Sequence, residues 1–264
     1  MVRTSKRDLK VVGSSPTVSI STPVNEVAVY RSTAALYDAL YSFKDYATEA
    51  AQLELLLGAL GVPAGGRVLE GAIGTGGHAA HLSSRYAWSG FDASAEMLEV
   101  ARAKLPGVPL WVADLRAFTV DEPVDAFVCL FSSIGYLLDE ASVRACAEAA
   151  ARAVRPGGAL VVEPWLTADR WQVGRPTLQT FDTDDLKLAR ATVAEREGDV
   201  AVMPMTWVVA ARGRPVTTFT ETHRLWLAPL DLLLHVFDRA GFTVRLDAAG
   251  FTGRGLILGV RRAE

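Results

Sequence analysis

Val68-Leu69-Glu70-Gly71-Ala72-Ile73-Gly74-Thr75-Gly76-Gly77-His78 carries an apolar strand into an acid, the acid into a glycine-studded loop, and the loop into a helix. Two further acids end later apolar segments at even intervals: Asp92 lies 22 residues after Glu70, and Asp114 lies 22 after Asp92. Glycines in such a first turn let the backbone bend sharply and let a ligand come close. In open α/β sheets, ligands bind beyond the carboxyl ends of the strands, where the strand order reverses. All three acids are expected there, within reach of the hydroxyls and amines of a nucleoside. The stretch reads as a nucleoside-cofactor site in a doubly wound α/β fold.

The rest of the chain supports that fold. Strands are predicted at Arg67–Glu70, Trp88–Asp92, Leu110–Ala113, Ala126–Phe131 and Ala159–Glu163. Between them fall helices over Gly77–Arg85, from the N-cap Ser94 to Lys104, and over Ala141–Val154, the last closed by Arg155-Pro156-Gly157-Gly158. This alternation implies a parallel sheet covered on both faces. Ahead of it, residues Ala34 to Tyr41 and Thr48 to Leu60 show helical spacing. After Trp165 the pattern changes. Leu186–Val193, Ala201–Ala210 and Pro215–Leu227 are Thr/Val-rich and alternate, which predicts an antiparallel insertion over residues 170–228, placed as a lid. A helix at Leu230–Ala240 and strands near Thr243–Leu246 and Gly255–Val260 return to the main sheet. Residues 1–24 are polar, with Ser-Pro and Thr-Pro steps and no helical period, and are expected to be a flexible tail ahead of one domain, 25–264.

Composition narrows the function classes. Half of the 264 residues are hydrophobic and 22% are charged, as in a globule with a substantial core. A formal charge of −3 offers no electrostatic case for nucleic acid. The two cysteines, Cys129 and Cys146, fall in apolar surroundings and are expected to be buried free thiols, without a disulfide framework or zinc spacing. No apolar run is long enough to span a bilayer, and the basic residues near the start precede no signal-like apolar block. A cytoplasmic enzyme acting on a small molecule, with no membrane partner, is the expectation.

The loop also discriminates among nucleoside cofactors. Its glycines fall at 71, 74, 76 and 77 and do not meet G-x-G-x-x-G cleanly, and no Gly-Lys-Ser/Thr follows. An acid just before the loop would repel a pyrophosphate. A zwitterionic amino-acid tail tolerates it better, which favours S-adenosylmethionine over NAD. On that reading Glu70 fixes the loop or meets an ammonium group, Asp92 accepts from ribose hydroxyls, and Asp114 accepts from the adenine amine. Ala93 and Met97 flank the adenine, with Leu115 at the rim. Gly71, Ala72 and Gly74 of the loop, with Tyr46 and Leu130, complete the expected cofactor contacts.

At Glu70 and Ile73-Gly74-Thr75-Gly76 the chain resembles the class I S-adenosylmethionine-dependent methyltransferases, with Ile73 where Cys is usual; Arg155-Pro156-Gly157-Gly158 is a second mark of that class. Phe131-Ser132-Ser133-Ile134-Gly135-Tyr136-Leu137, Val162-Glu163-Pro164-Trp165, Thr220-Glu221-Thr222-His223-Arg224 and Gly253-Arg254-Gly255-Leu256 are similar to the deoxyaminosugar N-methyltransferases. So are Tyr37-Asp38 and Lys44-Asp45-Tyr46. The resemblance covers residues 29–262 and implies N-methylation of the amine of a TDP-linked amino sugar in antibiotic-type metabolism. It also implies that Tyr37 and Tyr136 lie near the acceptor amine, and it points to a homodimer through the insertion. Leu166, where a second Trp often stands, and the Arg170–Gln179 stretch depart from the family.

Methyl transfer from a sulfonium is an in-line displacement by a donor already activated, so the enzyme aligns the nucleophile and excludes water. An amine must shed a proton first. A sugar amine is weakly basic, so hydrogen-bond acceptors that hold it suffice. Tyr37, Tyr136 and Glu163 are the candidates, with His223 as an alternative proton acceptor. The competing reading of Glu163 is a buried hydrogen-bond hub. Arg224 or Arg254 could bind a substrate diphosphate, and Trp165 is either a stacking wall or packing. His78 and His81 are spaced like a metal pair but lack a third ligand, so no metal is expected. Two other functions stay open: methylation of a different O, N or C acceptor, and cofactor binding without catalysis.

Overall fold

The computed structural model describes residue 34 and residues 36–263. The expected tail, residues 1–24, lies outside them. The first half of the chain lays down β1 (Arg67–Gly71), β2 (Ala87–Asp92), β3 (Leu110–Val112), β4 (Val124–Cys129) and β5 (Val154–Val162), all parallel. A second sheet follows: β6 (Pro176–Asp182), β7 (Leu186–Val193), β8 (Glu195–Glu197), β9 (Val200–Ala211) and β10 (Thr217–Trp226). The chain then returns to the first sheet as β11 (Phe242–Asp247) and β12 (Leu256–Arg261), with β12 antiparallel to both its neighbours. The first sheet has the order β11-β12-β5-β4-β1-β2-β3. Its order reverses between β1 and β4, so the crevice for a ligand opens beyond Gly71 and Leu130.

Both faces of that sheet are covered. Alternate strand residues point to opposite faces. Val68, Trp88, Ala126, Val128 and Val161 pack under α1 (Tyr46–Ala59), α2 (Ala79–Leu82) and α3 (Ala95–Lys104). Leu69, Phe91, Phe127, Cys129 and Val162 pack under α4 (Glu140–Ala153) and α5 (Leu230–Arg239). Helix starts follow local chemistry. The Asp45 side chain accepts from Thr48 N–H at 2.9 Å, Ser94 from Met97 N–H at 3.2 Å, and Asp139 from Ser142 N–H at 2.7 Å. In α5, Leu233, Val236 and Phe237 recur on one buried face, and burying Phe237 contributes about 1.5–3 kcal/mol. Cys129 and Cys146 are both buried free thiols.

Three elements differ from expectation. The helix after the glycine loop is only Ala79–Leu82, because the chain turns at Ser83 and must reverse to enter β2. Arg155-Pro156-Gly157-Gly158 is not a turn ahead of the fifth strand. Val154 already pairs with Val124, and the register shifts before Ala126 meets Ala159. The motif is therefore an irregularity inside the ladder. Gly158 is required there, since a Cβ would come within 2.8 Å of the Asp125 carbonyl. Arg155 Nε locks the bulge by donating to Asp125 Oδ1 at 2.6 Å. Finally, the insertion holds two strands beyond those expected, β6 and the short β8, which pairs only with β9.

The second sheet is antiparallel, ordered β10-β9-β7-β6. Its inner face buries Met203, Met205, Trp207 and Leu225 against Leu40 of the helical residues 36–40, with Tyr41 and Trp165 at the margin. Leu225 also reaches Gly135, in the 3-10 turn Ser133–Tyr136 that follows β4. This contact sets the second sheet beside the carboxyl end of β4. No helix among the described residues is long and apolar enough to cross a membrane.

Candidate active site

The glycine loop is mostly filled by protein. A Cβ on Gly71 would meet Leu115 at 2.8 Å and Phe127 at 2.9 Å, and one on Gly77 would meet the Tyr46 ring at 2.5 Å. Gly74 is different: its φ is +57° and nothing lies within 4 Å of its would-be Cβ. It is the loop position where a ligand can approach the backbone. Ala72 also holds a left-handed φ of 54°, a conformation costing a non-glycine residue about 1–3 kcal/mol.

Glu70, next to last in β1, is almost fully buried. Its Oε2 accepts from Trp88 Nε1 at 3.0 Å, and its Oε1 lies 3.9 Å from His78 Nδ1. Burial pushes its carboxyl up to about 8, Asp92 adds to the rise, and the Trp88 bond opposes it. Beyond His78 the buried chain continues: His78 Nε2 lies 2.8 Å from Glu49 Oε2, and Glu49 pairs with Lys44. The Lys44 ammonium sits 5.0 Å from the Tyr46 ring centroid and 4.4 Å from that of Phe131. His78, three residues before His81, belongs to this buried acid–base chain. Asp38 ties the N-terminal segment to the same loop, accepting from Thr75 Oγ1 at 2.7 Å and from Lys104 Nζ at 2.7 Å.

The other two acids are already engaged. Asp92 Oδ2 accepts from Gly74 N–H at 2.8 Å and Oδ1 from Ser94 N–H at 2.9 Å, so it holds the loop; burial raises its carboxyl despite those bonds. Each oxygen keeps a further lone pair. Asp114 is forked with Arg116, Nε to Oδ1 at 2.9 Å and Nη2 to Oδ2 at 2.5 Å, and that pairing lowers its carboxyl. The expected free acceptor for an adenine amine is thus a surface ion pair. Ala93 is exposed, Met97 partly buried, and Leu115 and Leu130 buried.

Beyond β4 the backbone is strained. Phe131 and Ser132 have φ of 51° and 62°. Such residues persist only when their surroundings over-determine them. Glu163, fully buried, supplies that support: Oε2 accepts from Phe131 N–H at 2.7 Å and Oε1 from Thr252 Oγ1 at 2.9 Å. Ser132 Oγ donates to Pro164 O at 2.8 Å. Arg254 joins in, with Nη1 3.4 Å from Ser132 Oγ and 3.7 Å from Glu163 Oε1, and its guanidinium 5.0 Å above Trp165. Glu163 is therefore the hub of the turn rather than an open acceptor for an amine, and Arg254 is bound to the same hub. Trp165 also tilts against Trp171, ring centroids 6.1 Å apart. Its Nε1 is buried without a partner among the described residues.

The strained turn presents Tyr136. The residue is half-exposed, and its hydroxyl lies 2.5 Å from His223 Nδ1 on β10. Tyr37 is partly buried and its ring is tilted against that of Tyr41, centroids 4.5 Å apart. Burial raises its hydroxyl well above the usual value, and Tyr41, Tyr46 and Tyr136 add to the rise. Arg190, buried and bonded to Tyr41 Oη at 3.1 Å, opposes it. Of the four expected catalytic groups, Tyr136 and His223 meet directly, and Tyr37 lies within electrostatic range of Tyr136. Arg224 is removed from it, paired with Glu197 at 2.6 Å on the surface. Glu221, Trp207, Arg190 and Thr252 were not anticipated. Only Glu221 carried a signal, two residues before His223 on an alternating strand and hence on the same face.

Residues 68–158 match the family described as a methyltransferase domain. The dTDP-3-amino-3,6-dideoxy-alpha-D-glucopyranose N,N-dimethyltransferase of Streptomyces fradiae is 33% identical over 234 residues, 88% of this chain and 91% of that protein. The chain belongs to the deoxyaminosugar N-methyltransferases. This methyltransferase also superposes on the crystal structure of Streptomyces venezuelae DesVI with a TM-score of 0.81 and 32% identity, covering 86% of this chain and 98% of that one. CalS10, an amino pentose methyltransferase from Micromonospora echinaspora solved with SAM bound, gives 0.77 and 29%, covering 86% and 95%. The methyltransferase is accordingly S-adenosylmethionine-dependent, and its crevice fits that cofactor. A buried acid stands at the head of a loop in which Gly74, among the described loop glycines, is the open backbone position.

Proposed function

We propose that this methyltransferase acts on the amine of a nucleotide-linked deoxyamino sugar. One observation carries the reading: the hydroxyl of a half-exposed tyrosine, paired with an imidazole, stands beside the cofactor crevice in a chain 33% identical to a dTDP-aminosugar dimethyltransferase. S-adenosylmethionine supplies an electrophilic methyl group on a sulfonium. Glu70 takes its ammonium group. Asp92 holds the loop through Gly74 and accepts from the ribose with its remaining lone pairs. Tyr46, Gly71, Ala72, Ala93, Met97, Leu115 and Leu130 shape the walls, and Asp114 reaches the adenine only by sharing its charge with Arg116. Tyr37 and Tyr136 hold the acceptor amine on the line of transfer. Glu163 and Arg254 are positioning residues that keep Tyr136 in place. Residues 170–228 serve as the lid that excludes water.

For the nucleotide end, Arg170 and Arg175 replace Arg224. Both line a 520 Å³ cleft with Leu166, Trp171 and Gln172. Arg175 Nη1 donates to Gln172 Oε1 at 3.3 Å and Arg170 lies within electrostatic range of Asp169, and both guanidinium groups line the cleft where a diphosphate would bind. Mass spectrometry after incubation with cofactor and TDP-linked 3-amino-3,6-dideoxyhexoses tests the function, with one or two added methyl groups expected. Methylation of a non-amine acceptor, and none across the panel, overturns it. Asp92→Ala is expected to weaken cofactor binding by about 1–3 kcal/mol in calorimetry; an unchanged Kd would put the ribose elsewhere.

A further inference from the structure

Glu221 and His223 sit two residues apart on β10, so both side chains leave the same face of the strand. His223 Nε2 lies 3.2 Å from Glu221 Oε1, and its Nδ1 lies 2.5 Å from the Tyr136 hydroxyl. Trp207, on the neighbouring strand β9 and fully buried, donates its Nε1–H to the same Glu221 oxygen at 2.9 Å. The Glu221 side chain is 9% exposed and that of His223 27%. The row thus runs from a buried carboxylate, through a partly exposed imidazole, to the hydroxyl of a half-exposed tyrosine. The order is that of an orienting acid, a base and a hydroxyl.

We infer that Glu221, His223 and Tyr136 form a proton relay that strips the acceptor nitrogen before each methyl transfer, making two successive methylations possible at one site. The inference rests on the amine-acceptor reading above. Glu221 can only accept, so it holds the Nε2–H tautomer and leaves His223 Nδ1 with its lone pair toward Tyr136. The acceptor ammonium gives an N–H proton to Tyr136 Oη as the Tyr136 O–H proton passes to His223 Nδ1. The nitrogen regains its lone pair, and His223 becomes an imidazolium facing the Glu221 carboxylate. The lone pair then forms the C–N bond, while the pair of the broken C–S bond stays on sulfur.

The product nitrogen is cationic and still carries a proton, so it cannot attack again. Once the product has left, the proton on His223 Nδ1 returns to Tyr136 Oη as the Tyr136 O–H proton passes to water, and the relay accepts the next one. Tyr136 touches the reacting nitrogen and is the catalytic residue; Glu221 and Trp207 are positioning residues. Among the described residues, the other titratable groups facing this row are Tyr37, which interacts with both Tyr136 and Arg190, and Arg190 itself, whose guanidinium lies 5.3 Å from the Trp207 ring centroid. Arg224, next on β10, turns to the opposite face and pairs with Glu197.

The test is the rate of each methylation as a function of pH, with the mono- and dimethylated products separated by mass spectrometry. His223→Gln is expected to lose on the order of 100-fold in kcat at pH 6.5, the low end of general-base contributions. The loss should shrink towards none at pH 9, where the amine deprotonates unaided, and the monomethylated product should accumulate at the lower pH. Tyr136→Phe, which leaves the second sheet untouched, should give the same pH signature and decides the matter if His223→Gln fails to fold. Glu221→Gln should move the midpoint of the acid limb downward, a shift that packing alone does not cause. A uniform loss at all pH values, or an unchanged ratio of products, overturns the relay. A wild-type enzyme that methylates no amine overturns the parent reading instead.

Discussion

Glu163→Ala is expected to lower the unfolding free energy by about 3–5 kcal/mol and to cut kcat in the same variant. The carboxylate accepts from Phe131 N–H and Thr252 Oγ1 with no exposure to water. Its removal leaves two donors unsatisfied, at about 1–3 kcal/mol each. It also releases the left-handed pair Phe131–Ser132, whose strain of about 1–3 kcal/mol per residue is tolerated only while the hub holds. Part of that strain is relieved on relaxation, so the costs do not simply add. The turn carries Tyr136, so its relaxation moves the hydroxyl away from His223. Glu163→Gln separates the two roles proposed for this residue. An amide keeps one acceptor but points an NH₂ at a donor, so a hub costs about 2 kcal/mol of stability. Urea unfolding with parallel kinetics checks this. A variant of wild-type stability that has lost its turnover would show that Glu163 contacts the substrate.

Glu70→Gln is expected to abolish a pH dependence of stability and to weaken cofactor binding by about 10–100-fold, the order of a charged hydrogen bond. The Glu70 carboxyl is pushed up from 4.5 to about 8 in the folded protein. Between those values the folded chain holds a proton that the unfolded chain has lost. Stability from this group is therefore greatest at or below the unfolded value and falls as pH rises towards 8, by about 1.4 kcal/mol per pH unit. The glutamine variant, neutral throughout, should lack that slope. Cofactor binding acts on the same proton. An ammonium group beside Glu70 favours the carboxylate, so binding at pH 6.5 should release close to one proton. Calorimetry in two buffers of different ionisation enthalpy measures it. A binding enthalpy independent of the buffer would place the ammonium elsewhere.

Periodicity and spacing made most of the architecture legible. The order of strands and helices and the antiparallel insertion were readable, because apolar alternation and glycine punctuation are local properties; the reversal of strand order, expected beside all three acids, falls only between β1 and β4. Limits were local too. Arg155-Pro156-Gly157-Gly158 reads as a turn from its composition, yet it lies within β5 because Val124 offers a ladder partner far away in the chain. The glycines at 71 and 77 read as space for a ligand, yet Leu115 and Tyr46 occupy that space. Only Gly74 is open, and no sequence pattern separates it from its neighbours.

The sequence by itself determined the fold, the cofactor class and the family, since each depends on residues close together in the chain or on motifs carried whole. Tertiary structure alone decided which charged groups are free to act. Arg224 is spent on Glu197, Asp114 on Arg116 and Glu163 on the strained turn, whereas Tyr136 and His223, 87 residues apart, meet within hydrogen-bond distance. A side chain's partners are set by the packing of the two sheets against each other. Electrostatic and hydrogen-bond energies fall steeply over a few ångströms, so a role in chemistry is settled by distances that no linear spacing records.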